Sequence, residues 1–221
     1  MTALRDLKAL EKKGFINKVH GGAIKKEISQ YEPTFEEKDA IASKEKEVIA
    51  KYAADNVINE SDIVSLGAGS TITKIIPHLK QKKLTILTNG LKTMANIAQY
   101  TPNFTLIGSG GELRKPALIF VGPEAENFFK RNKADTVILS GTGLTLKDGI
   151  TDPDPLDAEV KKVMCENAKK VIFLIDSTKI GKRSLVSMIA LEDIDLLIID
   201  DKAPENFIKK LKKSNINFEI A

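Results

Sequence analysis

The sequence predicts an α/β fold: a mainly parallel sheet covered by helices on both faces. Three observations predict it. Apolar runs without polar alternation, such as Val171-Ile172-Phe173-Leu174-Ile175, read as strands buried on both sides. Stretches with helical apolar spacing separate these runs, which is the βαβ pattern of a parallel sheet. Five of the six runs end in small, polar or charged residues, at the carboxyl ends where such sheets bind ligands.

The elements follow in order. Leu4, Leu7 and Leu10 form a helical stripe over residues 2–13, and Gly14 stops it. Residues 15–20 read as a short strand, Gly21-Gly22 as a tight turn and Ala23-Ile24 as a returning strand. Residues 25–38, polar and containing Pro33, read as a linker. A long helix is expected from about 39 to 57, with Ile41, Val48, Ile49, Tyr52 and Ala53 as an interrupted stripe. Strands are expected over 63–66, 84–88, 104–108, 136–140, 171–175 and 195–199. Helices are expected over 70–81, 91–99, 122–132, 156–169 and 204–213. The domain expectation is a DNA-binding remnant over 1–24, the linker over 25–38 and a large domain over 39–221.

Charge divides the chain unevenly. Residues 1–26 hold seven basic side chains against two acidic ones, while the remainder holds 27 and 28. A basic end on a neutral body suggests a nucleic-acid-facing segment. The single cysteine, Cys165, excludes an intrachain disulfide or a cysteine-based metal cluster. No metal and no cofactor are expected. The start is no signal peptide and no apolar run approaches membrane-spanning length, so no membrane partner and a cytoplasmic location are expected.

The turn Gly67-Ala68-Gly69-Ser70-Thr71 follows the first strand of the large domain. Its glycines permit a sharp bend, and free N–H groups at the following helix start favour an anion. Asn89-Gly90, Gly110-Gly111-Glu112, Gly141-Thr142-Gly143 and Asp176-Ser177-Thr178-Lys179 end four further strands.

Two sets of residues resemble one family. Leu4-Arg5-Asp6-Leu7, Leu10-Glu11, Gly14 and Val19-His20-Gly21-Gly22-Ala23 look like the end of the winged helix-turn-helix of DeoR-family transcriptional regulators. The strand-end motifs, with Glu159-Val160-Lys161, are similar to the effector domain of that family in order and spacing. The resemblance implies a fold like ribose-5-phosphate isomerase and glucosamine-6-phosphate deaminase. It also implies a carbohydrate-operon regulator, expected to be a repressor, whose effector is a phosphorylated sugar or polyol. Gly69, Ser70, Thr71, Lys179 and Lys161 are the implied phosphate contacts, and Asn89, Glu112, Thr142 and Asp176 the sugar contacts. Arg5, Lys8, Lys18 and His20 are the implied DNA contacts, operator DNA being the partner of the full-length protein. A homodimer or homotetramer is expected from two-fold operators.

Two features set this chain apart. Gly67 stands where the family usually has Asp, and Ile72 where it has a second Thr. Met1 stands at the helix that would enter the groove, so the front half of the helix-turn-helix is missing and weak operator binding by this chain is expected. The alternative function is a sugar-phosphate isomerase or deaminase of the same fold. Against it, Ser140-Gly141-Thr142-Gly143 lacks the carboxylate of the isomerase segment, and Val160 replaces the glutamate of Arg-Glu-Lys. The expectation is a sensor, not an enzyme.

Overall fold

The structure, a computed structural model, describes residues 16–19, 22–25, 32–100 and 103–221. The chain divides into two compact units, Met1–Glu32 and Pro33–Ala221. In the first, β1 (Ile16–Val19) and β2 (Gly22–Lys25) pair antiparallel, with Val19 opposite Gly22. The two strands are the pair that the basic segment predicts, with Gly22 in the second strand rather than in the turn. Lys18 lies in β1 opposite Ala23. Arg5, Lys8 and His20 lie outside the described residues.

The second unit opens with α1 (Phe35–Ala40), which starts inside the stretch read as a linker. Thr34 and Glu37 form a reciprocal capping box at its start. α2 (Ser43–Asn56) follows. One long helix was expected here, and the chain makes two. Ala42 adopts a left-handed conformation (φ 51°), and the Lys46 ammonium takes the carbonyls of Lys38 and Ile41. A continuous helix would have bonded those carbonyls to its own amides.

Next come β3 (Ile63–Leu66), α3 (Ser70–Thr73), α4 (Ile76–Leu79), β4 (Leu84–Thr88), α5 (Leu91–Ile97) and β5 (Phe104–Gly108). A hairpin of β6 (Glu112–Arg114) and β7 (Ile119–Val121) leads to α6 (Pro123–Arg131) and β8 (Ala134–Leu139). β9 (Gly143–Thr145), β10 (Gly149–Asp152), α7 (Pro155–Glu166), β11 (Ala168–Ile175) and β12 (Val186–Ile189) follow. The chain closes with β13 (Leu196–Ile199), α8 (Glu205–Lys213) and β14 (Phe218–Ile220).

Seven strands form one parallel sheet in the order β14-β13-β11-β8-β3-β4-β5. Each central strand feeds two cores. In β11, Ile172 and Leu174 face one core with Ile49, Ile72 and Ile97 from the helices. Val171, Phe173 and Ile175 face the other, with Phe129, Met164 and Leu211. Burying each such side chain contributes roughly 1.5–3 kcal/mol, which is why the strands read as unbroken apolar runs. No helix among the described residues is long and apolar enough to cross a membrane.

The helix expected over 70–81 is corrected to two single turns. Pro77 has no N–H to offer the carbonyl four residues back, at Thr73, and the helix ends there. Two small antiparallel sheets, β6-β7 and β12-β10-β9, were not expected. Their strands have only three or four residues, too few to carry a period.

Candidate functional site

The chain builds outward from β3: β4 and β5 lie on one side of it, β8, β11, β13 and β14 on the other. The carboxyl ends of β3 and β8 therefore flank a topological switch point, the place where open sheets of this kind bind ligands. Gly67 directly follows β3 there. Its N–H donates to the Ile138 carbonyl (3.0 Å), and its own carbonyl accepts from Thr93 Oγ1 (3.2 Å). A Cβ on Gly67 would stand 2.6 Å from Leu139 Cδ2. Any side chain at this position would require the end of Leu139 to shift. Ile72 is fully buried in the core.

Gly69 enters the turn with φ 114° and has open space where a side chain would stand. Ser70 and Thr71 are buried. Thr71 Oγ1 has no hydrogen-bond partner among the described residues. Asn89, after β4, is also buried. Its Nδ2 donates to the Phe120 carbonyl (3.0 Å), and its Oδ1 is unpartnered among the described residues. Buried polar atoms usually have partners, so these two mark a place for a ligand or water.

Lys179 reaches the same rim from the turn after β11. Its Nζ donates to Ser140 Oγ (2.8 Å), at the end of β8, and lies 3.4 Å from Asp176 Oδ2. Ser140 Oγ donates to the Leu174 carbonyl (2.7 Å). Burial holds the Lys179 ammonium below its ordinary value, and Asp176 only partly offsets this. Asp176 is fully buried and caps its own turn, accepting from Thr178 N. Lys179 thus places a largely buried amine between the Ser140 hydroxyl and the Asp176 carboxylate.

Lys161 stands differently. Its ammonium is buried between Asp152 Oδ2 (2.8 Å) and Asp157 Oδ2 (2.9 Å). Burial opposes its charge, but the two carboxylates outweigh it and hold Lys161 above its ordinary value. Burial pushes the Asp157 carboxyl up, against the pull of Lys161. Thr142 Oγ1 donates to the other oxygen of Asp152 (3.1 Å). Thr142, Asp152 and Lys161 therefore form one network within electrostatic reach of Lys179. Glu112 is exposed at the start of β6, opposite Val121, and no hydrogen bond or ion pair joins its carboxylate to this network among the described residues.

Sequence reasoning passed over Asp152, Asp157 and Lys46. The four-residue spacing of Asp157 and Lys161 on one helix face was a legible signal. Nothing local marks Asp152, which reaches the network only because β10 pairs with β9 and β12. Lys46 is buried with its ammonium on main-chain carbonyls and is pushed down to about 8, by burial first and then by Lys179. The Cys165 thiol is pushed up to about 12 by burial, which keeps it protonated. No cluster of metal-ligating side chains occurs among the described residues.

Comparison with known proteins fits this architecture. Residues 41–201 match the family described as the DeoR C terminal sensor domain. The HTH-type transcriptional regulator GolR of Listeria innocua is 34% identical over the whole chain, which covers 86% of that protein. The lactose phosphotransferase system repressor of Staphylococcus epidermidis is 31% identical, again over the whole chain and 86% of its own length. Among solved structures, ribose 5-phosphate isomerase A of Methanocaldococcus jannaschii is similar over 62% of this chain and 54% of its own. The TM-score there is 0.45 at 15% identity, too distant to bear on activity. The full-length relatives are regulators and a repressor rather than enzymes. The chain belongs to the DeoR family of transcriptional regulators.

Proposed function

We propose that the crevice at the carboxyl ends of β3 and β8 binds the phosphate of a phosphorylated sugar or polyol, and that occupancy changes repression at an operator. One observation carries this reading: the largely buried Lys179 ammonium, between the Ser140 hydroxyl (2.8 Å) and Asp176 (3.4 Å), stands after β11, two strands along the sheet from β3 and its open glycine turn. An ammonium so placed gains most from a dianion, because little water competes for it. Gly69, Ser70 and Thr71 supply amides and a hydroxyl to the phosphate. Asn89 Oδ1, Thr142 and Asp176 are the polar groups offered to the sugar, with Glu112 at the margin. Lys161 contributes by holding Asp152 and Thr142 in place, its own charge being matched already.

The basic first unit contacts operator DNA through Arg5, Lys8, Lys18 and His20, and the protein works as a homo-oligomer in the cytoplasm. The relative named for a lactose phosphotransferase system repressor supports a carbohydrate signal. Calorimetry over a panel of pentose, hexose and polyol phosphates tests the site. At least one ligand binds, and Lys179→Gln weakens it about tenfold or more, as expected for a lost charge-assisted contact. If no member binds at millimolar concentration, the reading is overturned.

A further inference from the structure

α1 touches segments that follow β3 and β4, and no residue of α1 is buried. A helix of six residues has little stability of its own. Its docking rests on polar contacts to loops that follow different strands. The Phe35 N–H donates to the Pro116 carbonyl (3.2 Å) in the β6-β7 turn. Glu36 faces Lys92 (3.6 Å) on α5, after β4. Asp39 faces Lys74 (3.5 Å), just past α3, after β3. At the other end Lys46 holds the carbonyls of Lys38 and Ile41, within electrostatic reach of Lys179 and Asp176 after β11. The chain enters α1 directly from the first unit, which ends at Glu32.

We propose that α1 is a strap over the effector crevice, docked while the crevice is empty and released when an anion binds beside Lys179. The inference rests on the effector reading above. The direction follows from charge. A dianion at the rim attracts Lys74 and Lys46, two of the ammonium groups that hold α1. It repels the Asp39 carboxylate and the negative carbonyl end of the helix. Release frees about ten residues between Glu32 and α2, lengthening the tether of each DNA-binding unit. A longer tether lowers the effective concentration at which two such units meet one operator.

Hydrogen–deuterium exchange on the full chain, with and without inorganic phosphate or ribose 5-phosphate, tests the strap. Expected is slower exchange over 67–73 and 176–180 together with about tenfold faster exchange over 36–41. Lys46→Met makes 36–41 exchange fast with or without ligand. Asp39→Asn, on a half-exposed side chain, gives a milder version of the same result should Lys46→Met fail to fold. Slower rim exchange with 36–41 unchanged or slower overturns the strap and leaves the effector site standing. No change at the rim with either ligand, nor with any other member of the phosphate panel, overturns both.

Discussion

Lys161 and Lys179 are two lysines that the sequence offers as equivalent phosphate contacts, and their surroundings separate them. Two carboxylates hold Lys161, whereas Lys179 has one carboxylate at 3.4 Å and a hydroxyl. Lys161→Met therefore strands two buried acids and is expected to cost about 3–5 kcal/mol in urea unfolding. A loss below about 1 kcal/mol would mean that water already serves those carboxylates. For Lys179 the expected signature is pH dependence. Above pH 7 a phosphate ester is a dianion, its second pKa being about 6, so only the protein still titrates. With the Lys179 value lowered from 10.5, its charge is lost on raising the pH sooner than that of an ordinary lysine. Effector affinity should decline from a pH below that of an ordinary lysine. Lys179→Arg, which stays charged past about pH 12, should flatten the decline; a profile identical to the native one would place the titration elsewhere.

At the scale of elements, the small antiparallel sheet β12-β10-β9 does the positioning. It carries Asp152 to the network, and its β9-β10 turn depends on Gly149. That residue has φ 66°, and a Cβ on it would lie 2.0 Å from the Ile189 carbonyl oxygen. Gly149→Ala adds a left-handed penalty to a backbone clash and is expected to cost at least ~2 kcal/mol. Gly181 has a similar φ of 78° with open space around it. Gly181→Ala should cost only about 1 kcal/mol, the conformational part alone. Equal midpoints for the two variants in urea would remove the argument from Ile189. The single turns α3 and α4 show the converse. Pro77 halves a helix that the apolar spacing extends, so the proposed anion site has a turn of amides behind it rather than a long dipole.

For the whole molecule, the effector unit has two cores on a seven-stranded sheet, and its crevice lies at one end of both. Ligand at 100 times its Kd stabilises the bound form by about 2.7 kcal/mol. For an effector unit of this size that amounts to roughly 5–10 °C in unfolding temperature. Differential scanning calorimetry should show this rise with the best ligand of the panel and little of it in Lys179→Gln. An equal rise in the variant would move the phosphate away from Lys179.

The sequence by itself determined the parallel sheet, the places of its main strands along the chain and the glycine, serine, threonine and lysine motifs at their ends. It could do so because a strand buried on both faces needs an unbroken apolar run, and because a strand-end turn needs small or polar residues. Residues 63–66, 84–88 and 104–108 match strand for strand, although β5 is the edge of the sheet and pairs with β4 alone. Only the tertiary structure decided the partners of each charge. Asp152 and Lys161 meet through β10 and α7, and Lys179 meets Ser140 through the adjacency of β11 and β8. Lys46 breaks one helix into two by taking its carbonyls. Motifs record which residues stand at the strand ends, but a charge is set by what surrounds it in space. The Gly67-to-Thr71 turn was therefore visible from the start, while the different standing of its two lysines came only with the fold.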